Sequence, residues 1–384
     1  MLGGLTSLQR TRGPGYAAAA ACVCRPALSR TNGWHLRGEV DRLGPVSDVE
    51  IRAIDLLDPQ QEDEARQWIG VHAAVQREVF GERGSPWTLE EIRGLVRGAD
   101  RKRVALVARS TAAGVVGALE VHLPLRDNQH AAMLWLSVLP SARARGVGSR
   151  LLGAGEKVAA EHARTTLMVE SEWAHGGSDG AEHFATAHGF TVAQTVLRSE
   201  QSLPVDHSVL RELVEGPGAE DYALESYVDE MPEAWLEDRA VLQQRMSTDA
   251  PADDLDLTEE VWDADRLRAS NARWRASGRR VVETVARHQP SGRLVGFTQV
   301  SVSAGEPELA YQQDTLVLTE HRGHGLGLRL KAANALAVMD TLPEVTAVRT
   351  WNAASNEHML AVNRRLGYVV DGYSREWQKR LQQG

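Results

Sequence analysis

The feature that most constrains this 384-residue chain is that it repeats itself. Val116-Gly117-Ala118 lies in a strand-like run, and Val295-Gly296-Phe297 lies in a similar one, with the two glycines 179 residues apart. Arg143-Ala144-Arg145-Gly146-Val147-Gly148 returns as Arg322-Gly323-His324-Gly325-Leu326-Gly327, again at 179, and His188-Gly189-Phe190 returns as Leu366-Gly367-Tyr368 at 178. Three landmarks in one order at one spacing describe a single domain used twice. The expected layout is a tail over 1–47, a first domain over 48–205 and a second over 206–384. The tail differs in composition: six Arg and two acids give it +4, so the net −9 of the chain conceals −13 on the remainder. It reads as a disordered extension or a mis-assigned start, and is kept out of fold reasoning.

Composition removes several classes. An acidic body has no broad basic face for nucleic acid. No run of about 18 apolar residues offers a membrane span. The two cysteines, Cys22 and Cys24, both sit in the tail, so the body has neither a disulfide framework nor a cysteine zinc site. A cytoplasmic protein, monomer or homodimer, is expected.

Within each copy the pattern is the same. In the second, β-branched runs near 280–287, 293–303 and 308–318 read as strands. After the glycine motif, Leu326, Leu330, Ala333 and Ala337 recur at one helical face, as Val147, Leu151, Ala154 and Val158 do in the first copy. Then come a strand (167–171; 346–351), a helix, and a Gly-Phe/Tyr step into the last strands. Helix-rich fronts are clearest at 68–80 and 261–274. The fold class is mixed α/β.

In both copies an apolar strand runs into Arg-x-x-Gly-x-Gly and then a helix. The first helical turn presents N–H groups without intrahelical partners, and the macrodipole adds positive potential, so this is an anion site. Glycines let the backbone approach a phosphate. Arg143, Arg145 and Arg322 add charge. Gly-Lys-Ser/Thr is absent, so the loop is not a Walker A, and its place after three strands argues against a dinucleotide fingerprint.

These residues resemble the GCN5-related N-acetyltransferase (GNAT) family. There, a Val-x-Pro-x-x-Arg step leads into Arg/Gln-x-x-Gly-x-Gly/Ala, which binds the pyrophosphate of acetyl-CoA. Val138-Leu139-Pro140-Ser141-Ala142-Arg143 matches the step in full, and Val317-Leu318-Thr319-Glu320-His321-Arg322 matches it without the proline. Asn356 and Asn363 stand seven apart before Gly367-Tyr368, as an Asn and usually a Tyr do in the family. The arrangement is similar to the two-domain GNAT type that includes mycothiol synthase. The resemblance implies two mainly antiparallel mixed sheets flanked by helices, acetyl-CoA as co-substrate, no metal, and a small-molecule amine acceptor. It implies cofactor contacts at Leu316, Val317, Leu318, Arg322, Gly323, His324, Gly325, Leu326, Gly327, Asn352 and Asn356. In the first copy it implies them at Val138, Arg143, Arg145, Gly146, Val147 and Gly148.

Acetyl transfer from a thioester needs a polarised carbonyl, a base for the amine and a proton for the thiolate. Asp314, an acid inside the strand-like run 311–318, is the base candidate. Asn363 occupies the family's tyrosine position; Asn cannot donate a proton as an acid and could only orient a thiol or water. The first copy has Leu134 and Trp135 on the equivalent strand, with Ser178 and Ala185 at the Asn and Tyr positions, so chemistry is expected in the second copy. A non-catalytic acyl-CoA-binding protein and a mycothiol synthase-like enzyme are the alternatives.

Three other signals are weaker. Gly176-Gly177-Ser178-Asp179-Gly180 matches a nucleophile elbow, but Glu172 to His175 separates it from its strand. His321-x-x-His324 could help bind phosphate but has no third metal ligand. The acid run 249–260 reads as a solvated loop, and Trp235, Trp262 and Trp274 as core or acceptor-pocket walls.

Overall fold

A computed structural model describes residues 48–98, 100–216 and 220–381; the expectation for 1–47 lies outside them. The chain divides into two compact units. Of the described residues, one takes 48–193 and 374–381, and the other takes Gln194–Tyr373.

The first unit runs β1 (Val49–Ile54), α1 (Glu62–Phe80), α2 (Leu89–Val96), β2 (Arg101–Ser110), β3 (Gly114–Pro124), β4 (Ala131–Val138), α3 (Val147–Glu161), β5 (Thr166–Ala174) and α4 (Glu182–Ala187). Strands β1 to β4 are antiparallel neighbours, and β5 joins β4 in parallel. The period-2 alternation of the strands splits the core. Leu106, Ala108, Leu119 and Val121 pack with Val147 and Leu151 of α3, while Ala105, Val107 and Ala118 pack with Trp68, Val71 and Val75 of α1. Helix α1 begins six residues before the expected 68, because Glu62, Asp63 and Glu64 suit the positive end of the helix dipole.

The second unit takes β6 (Thr191–Ser202) from residue 194 and α5 (His207–Val214), then continues with β7 (Tyr222–Val228), α6 (Leu236–Asp249), α7 (Ala264–Ala276), β8 (Arg280–His288), β9 (Leu294–Ser303), β10 (Glu306–Val317), α8 (Leu326–Thr341), β11 (Ala347–Ala353) and α9 (Glu357–Arg365). Strands β7 to β10 are antiparallel, β11 is parallel to β10, and β6 lies antiparallel beyond β11. Helix α7 starts at Ala264 rather than 261, where Asp263 caps it by accepting from the Arg266 N–H at 2.7 Å. The last strand, β12 (Val369–Arg380), gives its residues to 373 to this unit and those from 374 to the other.

The strand glycines of the repeat have a packing cause. A Cβ on Gly117 would lie 2.8 Å from Leu151 Cδ1. One on Gly296 would lie 2.8 Å from the Leu316 carbonyl oxygen and 3.2 Å from Leu330 Cδ1. Leu151 and Leu330 are themselves 179 apart: in each unit the helix after the glycine motif presses a leucine onto a bare strand position.

Candidate functional site

A cavity of about 560 Å³ opens in the second unit along the glycine loop. Its walls are Thr315 and Val317 at the end of β10, the loop residues His321, Arg322, Gly323 and Gly325, the first turn of α8, and one face of α9. Two features of the chain make this space. Gly323 and Gly325 hold φ of +89° and +67°, which turns the loop so that Gly325 caps α8. Strands β10 and β11 pair only from Leu309–Ala347 to Tyr311–Arg349, then part, although β10 stays paired with β9 to Val317 and β11 with β6 to Ala353. The Leu318 N–H donates to the Val295 carbonyl at 2.9 Å, so alternation aims the Val317 N–H toward the gap that β11 has left. Leu318 thus keeps its own N–H on the β9 side.

The motif arginines turn inward. Arg322 Nε donates to the Val317 carbonyl at 3.0 Å and Nη2 pairs with Asp249 at 2.8 Å; Arg143 Nε donates to the Val138 carbonyl at 3.0 Å and its guanidinium pairs with Glu78. Each arginine pins a strand end to the helix in front of it, and its charge is largely matched. The anion-binding character of the loop therefore comes mainly from backbone N–H groups and the helix dipole. This also corrects the reading of 249–260 as a solvated acid loop. Asp249 ends α6 with its side chain 7% exposed, and buried Glu260 accepts from the Trp262 indole N–H at 2.8 Å.

Asp314 is 1% exposed. It lies at a bulge: Gln312 pairs with Val300 and Thr315 with Thr298, so Gln313 and Asp314 together oppose Gln299. Alternation from Leu316, which packs with Trp235, Leu242 and Phe297, puts Asp314 on the α6 side of the sheet, opposite Thr315 and Val317. That side carries a buried polar network. Arg239 forks onto Glu283 at 2.7 and 3.0 Å, Gln299 donates to Glu283 at 2.8 Å, and the guanidinium stacks 3.3 Å from the Phe297 ring centre. Burial, with the Glu283 charge second, pushes the Tyr227 phenol well up.

Asn356 accepts from the Met359 N–H at 3.1 Å and so caps α9. Asn363 is buried, donates to Asn352 at 2.7 Å, and keeps its Oδ1 buried without a hydrogen-bond partner. Of the residues singled out in the second copy, Val317, Arg322, Gly323, Gly325, Leu326 and Gly327 line the cavity. Leu316, Leu318, His324, Asn352, Asn356, Asp314 and Asn363 lie off its walls. The sequence reading missed His358, Met359, Val362 and Arg365, whose i, i+1, i+4, i+7 spacing on α9 is a one-face signal.

In the first unit the matching space is filled. A Cβ on Gly148 would sit 3.2 Å from the Phe184 ring, which shares a core cluster with Val138, Val147, Ala181 and Ala185. His188 lies over that ring at 4.1 Å and joins Ser149 at 2.9 Å. At Gly327 nothing stands within 4 Å of the same point. Gly146 caps α3 at φ +78°, but Ala144 holds φ +58° where the second loop has glycine, and Arg145 is half-buried. At the position of Asp314 the first unit has Trp135, stacked 3.6 Å from His72, whose Nδ1 joins Ser137 at 2.8 Å. Ser178 is exposed, and no helix begins there.

Residues 68–190 match the acetyltransferase (GNAT) family model. A solved tandem GNAT protein from the clavulanic acid biosynthesis pathway, without AcCoA, is 28% identical with a TM-score of 0.70, over 88% of this chain and 99% of that one. The first unit thus matches the GNAT family, and the chain as a whole is similar to a tandem GNAT protein. Two further GNAT structures share the fold. One, from Sphaerobacter thermophilus, has 17% identity and a TM-score of 0.62 over 88% of this chain and 97% of its own. The other is a fungal glucosamine N-acetyltransferase region within a multi-domain β-N-acetylglucosaminidase, with 15% identity and a TM-score of 0.60 over 86% and 38%. No curated protein matches by sequence. The GNAT family match falls on the first unit, whereas the open glycine-loop cavity lies in the second. Among the described residues no helix is long and apolar enough to cross a membrane, and no three His, Cys, Asp or Glu side chains are placed to hold a metal.

Proposed function

We propose that this chain transfers an acetyl group from acetyl-CoA to the primary amine of a small molecule, with the chemistry in the second unit. The observation that carries the proposal is the cavity of about 560 Å³ between a capped helix N-terminus and two parting strands. Its make-up fits a diphosphate: a glycine-capped helix start supplies backbone N–H donors, and open space over Gly327 lets a phosphate approach them. Gly323, Gly325, Leu326 and Gly327 would hold the diphosphate, and Val317 with Met359 and Val362 the pantetheine arm. Bound acetyl-CoA supplies an activated acyl thioester. The Val317 N–H, aimed at the gap, would polarise a carbonyl placed there. Asp314 would take the proton of the incoming ammonium, and Asn363, with its spare acceptor, would position a thiol or water. The similar tandem protein's place in a biosynthetic pathway supports a small-molecule acceptor.

The test follows free thiol released from acetyl-CoA across a broad panel of amines. Turnover that falls by about 10²- to 10⁴-fold in Asp314→Asn, with CoA binding retained, supports the base assignment; unchanged turnover overturns it. Tight CoA binding with no amine acetylated would favour a regulatory acyl-CoA-binding protein, the reading that the Asn at position 363 suggests. Acetylation of cysteinyl-glucosaminyl-inositol would favour the mycothiol synthase-like one.

A further inference from the structure

One side of the glycine-loop cavity carries a cluster of imidazoles that the acyl-transfer reading does not use. Tyr222 and His288 are register partners on β7 and β8. His321 lines the cavity and its Nδ1 joins the Tyr222 hydroxyl at 3.1 Å. The His288 and His321 ring centres are 4.8 Å apart, and Tyr222 lies 5.4 Å from both His288 and His324. Three imidazoles thus gather around one phenol, beside a loop built to receive negative charge.

Three rings this close cannot all be protonated in the free protein without repulsion. Burial and then the neighbouring His288 lower the His321 pKa, the Glu320 carboxylate opposes this, and His324 adds to the lowering. Arg322 is matched by Asp249, Asp221 precedes Tyr222, and His288 Nδ1 is held by Ser291 at 2.8 Å. The Tyr222 hydroxyl can donate to a neutral Nδ1 or accept from a protonated one, so the contact survives either state.

We propose that His321, lining the cofactor site with His288 and His324 clustered beside it off the walls, is a proton-accepting group: a diphosphate bound at the loop draws about one proton onto the cluster, and affinity rises as pH falls. This rests on the reading of the cavity as an acyl-CoA site. It gives the chain a pH-dependent hold on its co-substrate that permanently charged side chains alone would not supply.

The experiment titrates the full chain with 3′-dephospho-CoA by calorimetry. The diphosphate diester of this probe does not titrate between about pH 6 and 8, so exchanged protons belong to the protein. Heats at pH 7 in two buffers of different ionisation enthalpy should show uptake of about one proton, and affinity should rise roughly 10- to 30-fold from pH 8 to 6.5. Both effects should shrink in His321→Gln and in the exposed-site variant His324→Gln. Binding without proton uptake, or uptake unchanged in both variants, overturns the inference and leaves the cofactor reading standing. Absence of binding at either pH overturns both.

Discussion

Gly327→Ala and Gly148→Ala are the same change at equivalent points of the two units, and the structure assigns them opposite outcomes. At Gly327 an added Cβ meets nothing within 4 Å; at Gly148 it meets Phe184 at 3.2 Å. Both glycines are second residues of helices with ordinary φ. Alanine is favoured over glycine in a helix by roughly 0.5–1 kcal/mol. With no steric penalty, Gly327→Ala should raise the melting temperature by about 1–4 °C. The same methyl enters the space over the first turn of α8, where a phosphate would approach the N–H groups. Loss of one charge-assisted hydrogen bond there, worth about 1.5–3 kcal/mol, weakens CoA binding by roughly 10- to 150-fold. In Gly148→Ala the Phe184 ring must yield by a few tenths of an ångström, so the helical gain is offset and CoA binding is untouched. Thermal melts and calorimetric CoA titrations of both variants read these quantities. A Gly327→Ala protein that binds CoA like wild type would refute the placement of the phosphate, and a Gly148→Ala protein that loses CoA would move the site to the first unit.

Other perturbations test neighbouring parts of the structure. Lys331 is buried with its ammonium 4.7 Å from the Tyr368 ring centre, and burial lowers its pKa to about 7. The unfolded chain keeps this proton up to about pH 10.4, so this group's contribution to stability rises with pH between those values. Lys331→Met should therefore raise the melting temperature at pH 7 and flatten its climb above it; a wild-type slope in the variant would contradict the assignment. Glu283→Gln strips the Arg239 guanidinium of its buried counter-charge and should cost about 3–5 kcal/mol in urea unfolding, while the double change Arg239→Met with Glu283→Leu recovers most of it. Ala144→Gly relieves a residue held at φ +58° and should stabilise by about 1 kcal/mol, whereas Gly323→Ala, at φ +89°, should destabilise by a similar amount. Denaturant midpoints of the pair decide this, and equal signs would count against the loop geometry.

Much of the fold was legible because it is local or periodic. The strands near 280, 293 and 308 and the helices after each glycine motif follow from β-branched runs and one-face spacing, and the bare positions Gly117 and Gly296 mark where a helix presses on a strand. The glycine loop of the site was equally readable, since a capped helix start leaves its pattern within six residues. The rest depends on distant partners. Asp249 meets Arg322 from 73 residues away, and nothing in an acid run distinguishes the one acid that ends a helix under a loop. The bulge at Asp314 needs the register against β9. The closure of the first groove hangs on Phe184, which looks like any core phenylalanine until its ring is seen over Gly148.

Residues 374–381 complete the first unit. Trp377 sits in that unit's core at 3% exposure and donates to Ser171 at 2.7 Å, Lys379 pairs with Glu156, and the Leu381 N–H donates to the Thr165 carbonyl. On the ribosome these residues emerge only after all of Gln194–Tyr373 has been made. The half of the chain translated first therefore waits, with an unfilled seat in its core, for the half translated last. The first unit therefore cannot be cut out as one contiguous segment without losing these residues, whereas Gln194–Tyr373 is continuous, so the dependence between the two copies runs one way.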